Sequence, residues 1–339
     1  MFRKIEKTQL VSERNLLDAL DKVDHLTSEN IDSTHQFPLS QIYEGLLLKL
    51  GEKKNDGGQF FTPREVIRAM IRAITPKLKI KGRDATIYDP CCGTGGFLAE
   101  TFAYLINQEP TATEIDYLKH NALWGLDDSD DAFPIALANL ALHGIDFPHI
   151  GIKNTLSGRP TYIELFQGAP SQFDYILTNP PFGGSEGEDA KTNFAYKTGS
   201  TQVLFLQHII DKLRDGGTCA MVIDEGVLFR TNETAFVQTK RKLLEECDLW
   251  CVISLPQNVF VNAGAGVKTN LLFFTKGRQT KKIWYYDMSN IKVRKKLTFT
   301  IDKFDDFFKR LSSDKEKDKI SDNSWFIDVE TIKNKNYDI

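Results

Sequence analysis

No two cysteines of this sequence form a CxxC pair. The five present, Cys91, Cys92, Cys219, Cys247 and Cys251, include two that are adjacent, so neither a zinc site nor a disulfide framework is indicated. Buried reduced thiols in a cytoplasmic protein are the plainer reading. The six histidines are scattered without ligand spacing, and no metal is expected. No apolar run approaches the ~18 residues that a membrane span needs. Met1 to Leu10 carry charge without a hydrophobic stretch, so no signal peptide is visible and no membrane partner is expected. Positive charge is not in excess either. The net charge of −3 by itself argues weakly against a nucleic-acid binder. Its distribution says more: from Lys276 to Arg310, eleven Lys or Arg stand against four Asp and no Glu, a local excess of +7. Such a segment is either a phosphate footprint or a solvated face, and composition does not choose between them.

What is present is ordinary globular material, 41% hydrophobic and 26% charged. Its 339 residues leave room for one large α/β domain with small terminal additions, or for two modest domains. Residues 1–57 read as a helical region, with apolar positions such as Leu16, Leu20, Val23, Ile42 and Leu46, ending in the polar connector Gly51 to Gly58. Thr62-Pro63-Arg64-Glu65 then reads as a capped helix start, with Thr62 as cap, Pro63 in the first turn and Glu65 completing a capping box. That helix runs through Val66, Ile67, Met70, Ile71 and Ile74 to Pro76.

Strand and helix alternate beyond this point. Seven strands are predicted, at Thr86–Asp89, Leu123–Leu126, His149–Lys153, Phe173–Thr178, Thr218–Ile223, Trp250–Leu255 and Thr269–Thr275. Helices are predicted at Gly96–Ile106, Asp131–His143, Val203–Leu213 and Ala235–Glu246, with Gly144 and Gly216-Gly217 as terminators. This alternation predicts an α/β fold with a doubly wound, mostly parallel seven-stranded sheet over residues 58–279. Residues 280–339 form a basic extension with one helix near Phe304–Leu311.

Three turns carry the chemistry. Asn179-Pro180-Pro181-Phe182 follows the apolar run Phe173 to Thr178 and so sits at a strand's carboxyl end, where open α/β sheets bind ligands. The prolines hold the chain extended and leave the Pro180 carbonyl facing outward. The Asn179 amide oxygen, that carbonyl and the Phe182 ring make a receptor for a planar group bearing an NH2, such as a nucleobase amine. Asp89-Pro90-Cys91-Cys92-Gly93-Thr94-Gly95-Gly96-Phe97 joins the first strand to its helix, its glycines allowing a sharp bend and close ligand approach. An acid opens this loop and no Gly-Lys-Ser/Thr follows, so a cationic ligand fits better than a triphosphate. An acid facing the amino end of S-adenosylmethionine would fit. Gly125-Leu126-Asp127-Asp128 ends the second strand, where an acid can accept both ribose hydroxyl bonds. The plainer alternative is that Asp127 and Asp128 only charge the start of the next helix. Gln59-Phe60-Phe61-Thr62-Pro63, standing alone, would be a hydrophobic staple.

Taken in order, these segments resemble the amino-group DNA methyltransferases of the N6-adenine class, and in particular the modification (M) subunits of type I restriction-modification systems. The resemblance runs from Tyr43 to Gly277 and includes Gly58 to Pro63, Asp89 to Phe97, Asn139 to Ile145 and Asn179 to Phe182. It continues through Gly226-Val227-Leu228-Phe229-Arg230 and Ile253-Ser254-Leu255-Pro256 with Val259-Phe260. It implies the sheet of S-adenosylmethionine-dependent methyltransferases. It also implies that Phe61, Thr62 and Pro63 contact the cofactor, that Asp89, Cys91, Gly93, Thr94, Gly95 and Gly96 hold its methionine part, and that Asp127 holds its ribose. The family has an Asp after the third strand; here Asn154 stands in its place and would meet the cofactor adenine, with Asn179 beside it. A second departure is Ile223-Asp224-Glu225, where a proline-containing turn is usual.

The implied reaction is transfer of a methyl group to N6 of an adenine flipped from DNA. Asn179 and the Pro180 carbonyl would accept its two N–H bonds, and Phe182 would stack on the base with roughly 1–3 kcal/mol. Direct in-line displacement from a sulfonium needs no metal. The approximately sixty residues at each end leave no room for a large recognition module, so the partners implied are double-stranded DNA and a separate specificity (S) subunit, with a restriction (R) subunit and a second copy of the chain in the full assembly. M subunits are usually longer at both ends, so the chain reads as a short form or a fragment. Gly183 to Ser200 reads as a mobile loop near the target base. Cytosine N4, ribosomal guanine and a glutamine amide also present planar NH2 groups. The FTP segment and the LPQNVF stretch favour adenine. The rival of another class is a non-catalytic DNA-binding or scaffolding subunit.

Overall fold

The computed structural model describes residues 62–260, 267–294 and 299–339, all within the unit Asn55–Ile339. The helical region expected over residues 1–57, together with Phe61, lies outside the described residues. A first helix, α1 (Arg64–Ile74), buries Val66, Ile67, Met70, Ile71 and Ile74, the i, i+4 stripe that its sequence spacing requires. It ends at Thr75, which adopts a left-handed conformation before Pro76. No capping box opens it. Pro63 is the N-cap, no side chain among the described residues caps the helix, and Glu65 instead accepts from the Ile301 N–H at 2.9 Å.

A small antiparallel pair, β1 (Lys79–Ile80) and β2 (Arg83–Asp84), precedes the main sheet. The elements that follow are β3 (Ile87–Asp89), α2 (Gly96–Ile106), α3 (Ala112–Tyr117), β4 (Leu123–Asp127), α4 (Ala132–Leu142), β5 (His149–Lys153), β6 (Pro160–Tyr162) and β7 (Phe173–Thr178). After these come α5 (Glu188–Lys191), α6 (Thr201–Lys212), β8 (Leu213–Asp224), α7 (Glu225–Phe229), α8 (Thr234–Glu246), β9 (Cys247–Ser254) and β10 (Thr269–Lys276). Last are β11 (Lys282–Asp287), α9 (Asp305–Leu311), β12 (Ser324–Asp328) and α10 (Val329–Asn334).

Among the described residues the sheet has ten strands, in the order β12-β11-β9-β10-β8-β7-β3-β4-β5-β6, which corrects the expected seven. The seven predicted strands are all present. The additions are β6, antiparallel to β5, and β11 and β12, which the lysine-rich composition concealed. β11 pairs parallel with β9, whereas β6, β10 and β12 run antiparallel to their neighbours. The sheet is therefore mixed and mostly parallel.

All six residues of β7 are buried, as expected of a strand covered on both faces. Gly216-Gly217 does not terminate α6; it lies within β8. A side chain at Gly217 would stand 2.8 Å from the Arg214 carbonyl and 2.9 Å from that of Asp174, so only glycine lets β8 pass β7 this closely. Within the chain order, β3 leads to β4 and β5 on one side, while β7 and β8 lie on the other. That reversal between β3 and β7 makes their carboxyl ends the crevice where such sheets bind ligands. Among the described residues no helix is long and apolar enough to cross a membrane.

Candidate active site

The ends of β7, β3 and β4, neighbours in the sheet, carry Asn179, Asp89 and Asp127. Three turns that are distant in sequence thus meet along one edge. The Asp89 side chain is 1% exposed. Its Oδ1 accepts from the Thr178 hydroxyl at 2.7 Å and from the Cys91 N–H at 3.2 Å, while Oδ2 has no partner among the described residues. Burial pushes this carboxyl up to about 7, against the opposing pull of those two bonds. Asp127 spans the gap to the glycine-rich loop: Oδ2 accepts from the Gly93 N–H at 2.8 Å and Oδ1 from the Ser129 N–H at 3.0 Å. Burial raises it as well, to about 6. Its bonds run to the loop and to Ser129, whereas α4 opens at the Asp131 N-cap with no acid in its first turn, so they lend nothing to the helix-charging alternative.

The loop itself is braced from two helices. Gly93 and Gly95 take positive φ values of 51° and 76°, which favour glycine. The Asn139 amide of α4 donates to the Thr94 carbonyl at 2.8 Å, and the Asn139 carbonyl in turn meets His143 Nδ1 at 2.8 Å. That gives the Asn139-to-Ile145 segment a physical task. From α1, Arg64 Nη1 donates to the Gly96 carbonyl at 2.8 Å, and burial lowers its guanidinium to about 10. The Cys91 thiol lies 2.9 Å from the Thr178 hydroxyl, and all five cysteines are free.

At the tetrapeptide, Asn179 Nδ2 donates to Thr62 Oγ1 at 3.0 Å, and Asn179 Oδ1 is buried without a partner among the described residues. The Pro180 carbonyl accepts from Gln202 Nε2 at 3.1 Å, and Gln202 Oε1 accepts from the Asp224 N–H at 2.7 Å. Asp224 caps α7 by accepting from the Gly226 N–H at 2.7 Å, which answers the departure seen at that position in the sequence. The Phe182 ring meets Phe260 edge-on, with centroids 5.5 Å apart.

Cys91, Asp127, Asn154, Asn179 and Pro181 line one cleft. Asn154 turns its Oδ1 back on its own loop, accepting from the Leu156 and Ser157 N–H groups at 3.1 and 2.7 Å. Phe182 stands outside that cleft, against Phe260. The expected mobile loop, residues 183–200, is instead tied down. Ser185 bridges Ser200, Thr201 donates to Glu186 at 3.0 Å, and Tyr196 exchanges two bonds with Gln207. In the basic segment, Lys282, Lys303 and Arg310 are paired with Glu316, Asp302 and Asp306, so part of its charge is matched within the chain.

Sequence reasoning missed Gln202, Thr178 and the pairing of Thr62 with Asn179. Gln202 had a signal: a polar residue in the apolar helix TQVLFLQHII, where it is buried.

Proteins of known sequence and structure are similar to this chain. The type I restriction enzyme EcoEI methylase subunit of Escherichia coli is 38% identical over 277 residues, 81% of this chain and 52% of that protein. A modification subunit from Vibrio vulnificus superposes with a TM-score of 0.76 at 30% identity, covering 94% of this chain and 65% of that one. A chain from a type I R-M system, solved for its complex assembly and conformational transition, gives a TM-score of 0.77 at 35% identity, covering 96% of this chain and 66% of that one. The chain spans about half the length of the curated relatives it matches. The sequence pattern of the N-6 DNA methylases matches residues 35–339, and the chain belongs to that family.

Proposed function

We propose that the chain is the catalytic part of a type I modification subunit, a DNA adenine N6-methyltransferase that uses S-adenosylmethionine. One observation carries this reading: two buried side-chain oxygens without partners among the described residues, Asp89 Oδ2 and Asn179 Oδ1, stand at the ends of adjacent strands. A buried acceptor left unbonded costs about 1–3 kcal/mol, so both atoms favour ligands that bring N–H groups. The cofactor has an ammonium group and the target an amine.

The cofactor, when bound, supplies an activated methyl group. Asp89 would meet its ammonium end, the loop from Cys91 to Gly96 its methionine part, and Asp127 its ribose. Each Asp127 oxygen accepts one bond from the backbone and keeps a lone pair for a hydroxyl. Asn154 would flank the adenine, and Phe61, Thr62 and Pro63 would close the site from the N-terminal side.

Adenine N6 is a weak nucleophile because its lone pair is delocalised into the ring. Asn179 Oδ1 and the free lone pair of the Pro180 carbonyl would accept its two N–H bonds, drawing the nitrogen toward a tetrahedral form. Phe182, buttressed by Phe260, would stack on the flipped base. The protein's contribution is orientation.

Sequence choice would rest with a separate specificity subunit on double-stranded DNA, with a restriction subunit and a second modification subunit completing a cytoplasmic assembly. The test is transfer of labelled methyl to DNA, with and without a candidate specificity subunit, followed by digestion to nucleosides. N6-methyladenine is expected. N4-methylcytosine alone would overturn the choice of base. A folded protein that fails to bind S-adenosylmethionine in calorimetry would leave only a scaffolding role.

A further inference from the structure

The segments Gly226 to Arg230 and Ile253 to Pro256, which the proposed reaction leaves without a task, share a second pocket on the same sheet edge. Its floor is built by register. Asn270 pairs with Ser254 and Ser254 with Asp287, while Val252 pairs with Tyr285 and Tyr285 with Trp325. Paired residues share a sheet face, so two parallel rows result, one polar and one apolar and aromatic. Leu228 and Phe229 of α7 form a wall, and Lys268 and Glu225 sit at the rim with Nζ and Oε1 2.6 Å apart.

Three features make this a built site. The Asn270 side chain is 4% exposed, lines the pocket, and has an Nδ2 without a partner among the described residues. A polar row inside a sheet is costly unless something bonds to it. Secondly, Tyr285 and Trp325 stack on one another, within 8° of parallel and with centroids 6.0 Å apart, and the Trp325 ring remains 39% exposed. Thirdly, Phe229 projects beside them, 55% exposed, although its apolar area favours burial.

The ligand chemistry follows from the spacing. Asp287, Ser254 and Asn270 stand on three consecutive strands, so their polar groups are spread over roughly 10 Å at about 4.8 Å per strand. A carboxylate, a hydroxyl and an amide in one line suit a planar ring with mixed donors and acceptors along its edge. Flat aromatic faces beside them suit its π-surface, and Lys268 can exchange Glu225 for a phosphate. We infer that this pocket binds the base of an unpaired nucleotide, separately from the cleft beside Asn179. The two are linked: Asp224, which precedes the pocket residue Glu225, bonds to Gln202, and Gln202 to Pro180.

Trp325 offers a readout, because a stacked base quenches indole fluorescence. The full chain, with S-adenosylhomocysteine in excess to occupy the other site, is titrated with AMP, with a short single-stranded oligonucleotide and with the corresponding duplex. Quenching by AMP or by the single strand is expected. Tighter binding of the strand identifies DNA as the source, and tighter binding of AMP identifies a free nucleotide. Affinity measured by calorimetry should fall about five- to 150-fold in Trp325→Ala, the range for loss of one stacking partner. Asn270→Leu should weaken binding while raising the unfolding temperature of the ligand-free protein, since it removes an unbonded amide. No quenching by either ligand at millimolar concentration overturns the inference. So does affinity unchanged in both variants, or an Asn270→Leu protein that is less stable. Trp325→Ala isolates this pocket whether or not the first site binds the homocysteine compound, so failure of one reading is distinguishable from failure of the other.

Discussion

Asn179 and Thr62, 117 residues apart in sequence, are joined by a single hydrogen bond from Nδ2 to Oγ1 at 3.0 Å. An amide rotated by half a turn would present nitrogen where oxygen now stands. By accepting from Nδ2, Thr62 holds Oδ1 toward the place proposed for the target amine. Thr62→Val should lower the single-turnover methylation rate by about tenfold, the order of one lost hydrogen bond to a neutral group. Thr62→Ser should restore it, with DNA affinity unchanged in both. Asn179→Ala should lower that rate by roughly 10²–10³. Equal rates in Thr62→Val and the wild type would show that the amide is oriented by something else.

The raised carboxyl of Asp89 predicts a pH dependence. In the ligand-free protein this group is mostly protonated at pH 6 and mostly ionised at pH 7.5, given its value of about 7. A cationic partner needs the ionised form, so S-adenosylmethionine affinity in calorimetry should rise several-fold across that interval. Asp89→Asn should flatten the profile. Stability without ligand should move the other way. The folded chain holds a proton that the unfolded chain releases between about pH 4 and pH 7, so stability falls as pH rises through that window and levels above it. Asp127, raised to about 6, adds in the same direction.

How legible was this site beforehand? Strand positions were, because apolar runs such as Phe173 to Thr178 end in turn residues whose chemistry names the edge they occupy. The order β3, then β4, then β7 with its tetrapeptide was therefore readable. β11 was not, because Lys281, Lys282 and the basic residues around it mask the short apolar run Ile283, Trp284, Tyr285 and Tyr286. β6 holds only three residues, one of them Pro160. Thr62 shows a deeper limit. Local spacing made it a helix cap, but Pro63 occupies the cap and a partner from a distant strand end takes the hydroxyl. Local pattern cannot reveal a contact that exists only after the sheet forms.

A buried acid far from the reaction should carry much of the stability. Asp174, buried at the start of β7, accepts from Arg83 at 2.5 and 2.8 Å and from the Thr86 N–H and hydroxyl at 3.0 and 3.1 Å. The Arg83 guanidinium and the Thr86 bonds outweigh burial and hold its carboxyl below the ordinary value. Its contribution is present above the ordinary carboxylate value and is lost as pH falls through the depressed one. Asp174→Ala should cost about 3 kcal/mol in urea unfolding, because Arg83 and Thr86 lose their shared acceptor. A loss under 1 kcal/mol would show that water replaces it.

Gly125 in β4 couples packing to the glycine-rich loop. A β-carbon there would stand 2.9 Å from Leu98 Cδ1 and 3.0 Å from Cys92 Sγ. Gly125→Ala should destabilise the protein by about 1–3 kcal/mol through overpacking. It should also weaken S-adenosylmethionine binding, because Cys92 carries the loop with it. Adding Cys92→Ala should recover part of both losses. Absence of any recovery in the double variant would place the strain on Leu98 instead.

The bond from Gln202 to the Pro180 carbonyl has a consequence for what happens after one turnover. A carbonyl oxygen accepts two hydrogen bonds, and Gln202 fills one place from a fixed direction. A primary amine of the kind proposed as substrate has two N–H groups and can serve both Pro180 and Asn179 Oδ1. Once it bears a methyl group it has one, and an acceptor is left unserved at a cost of about 1–3 kcal/mol. The pair of acceptors thereby counts protons. In the proposed reaction it would tell a fresh base from a finished one, so the site would let go of its own product and stop at a single mark.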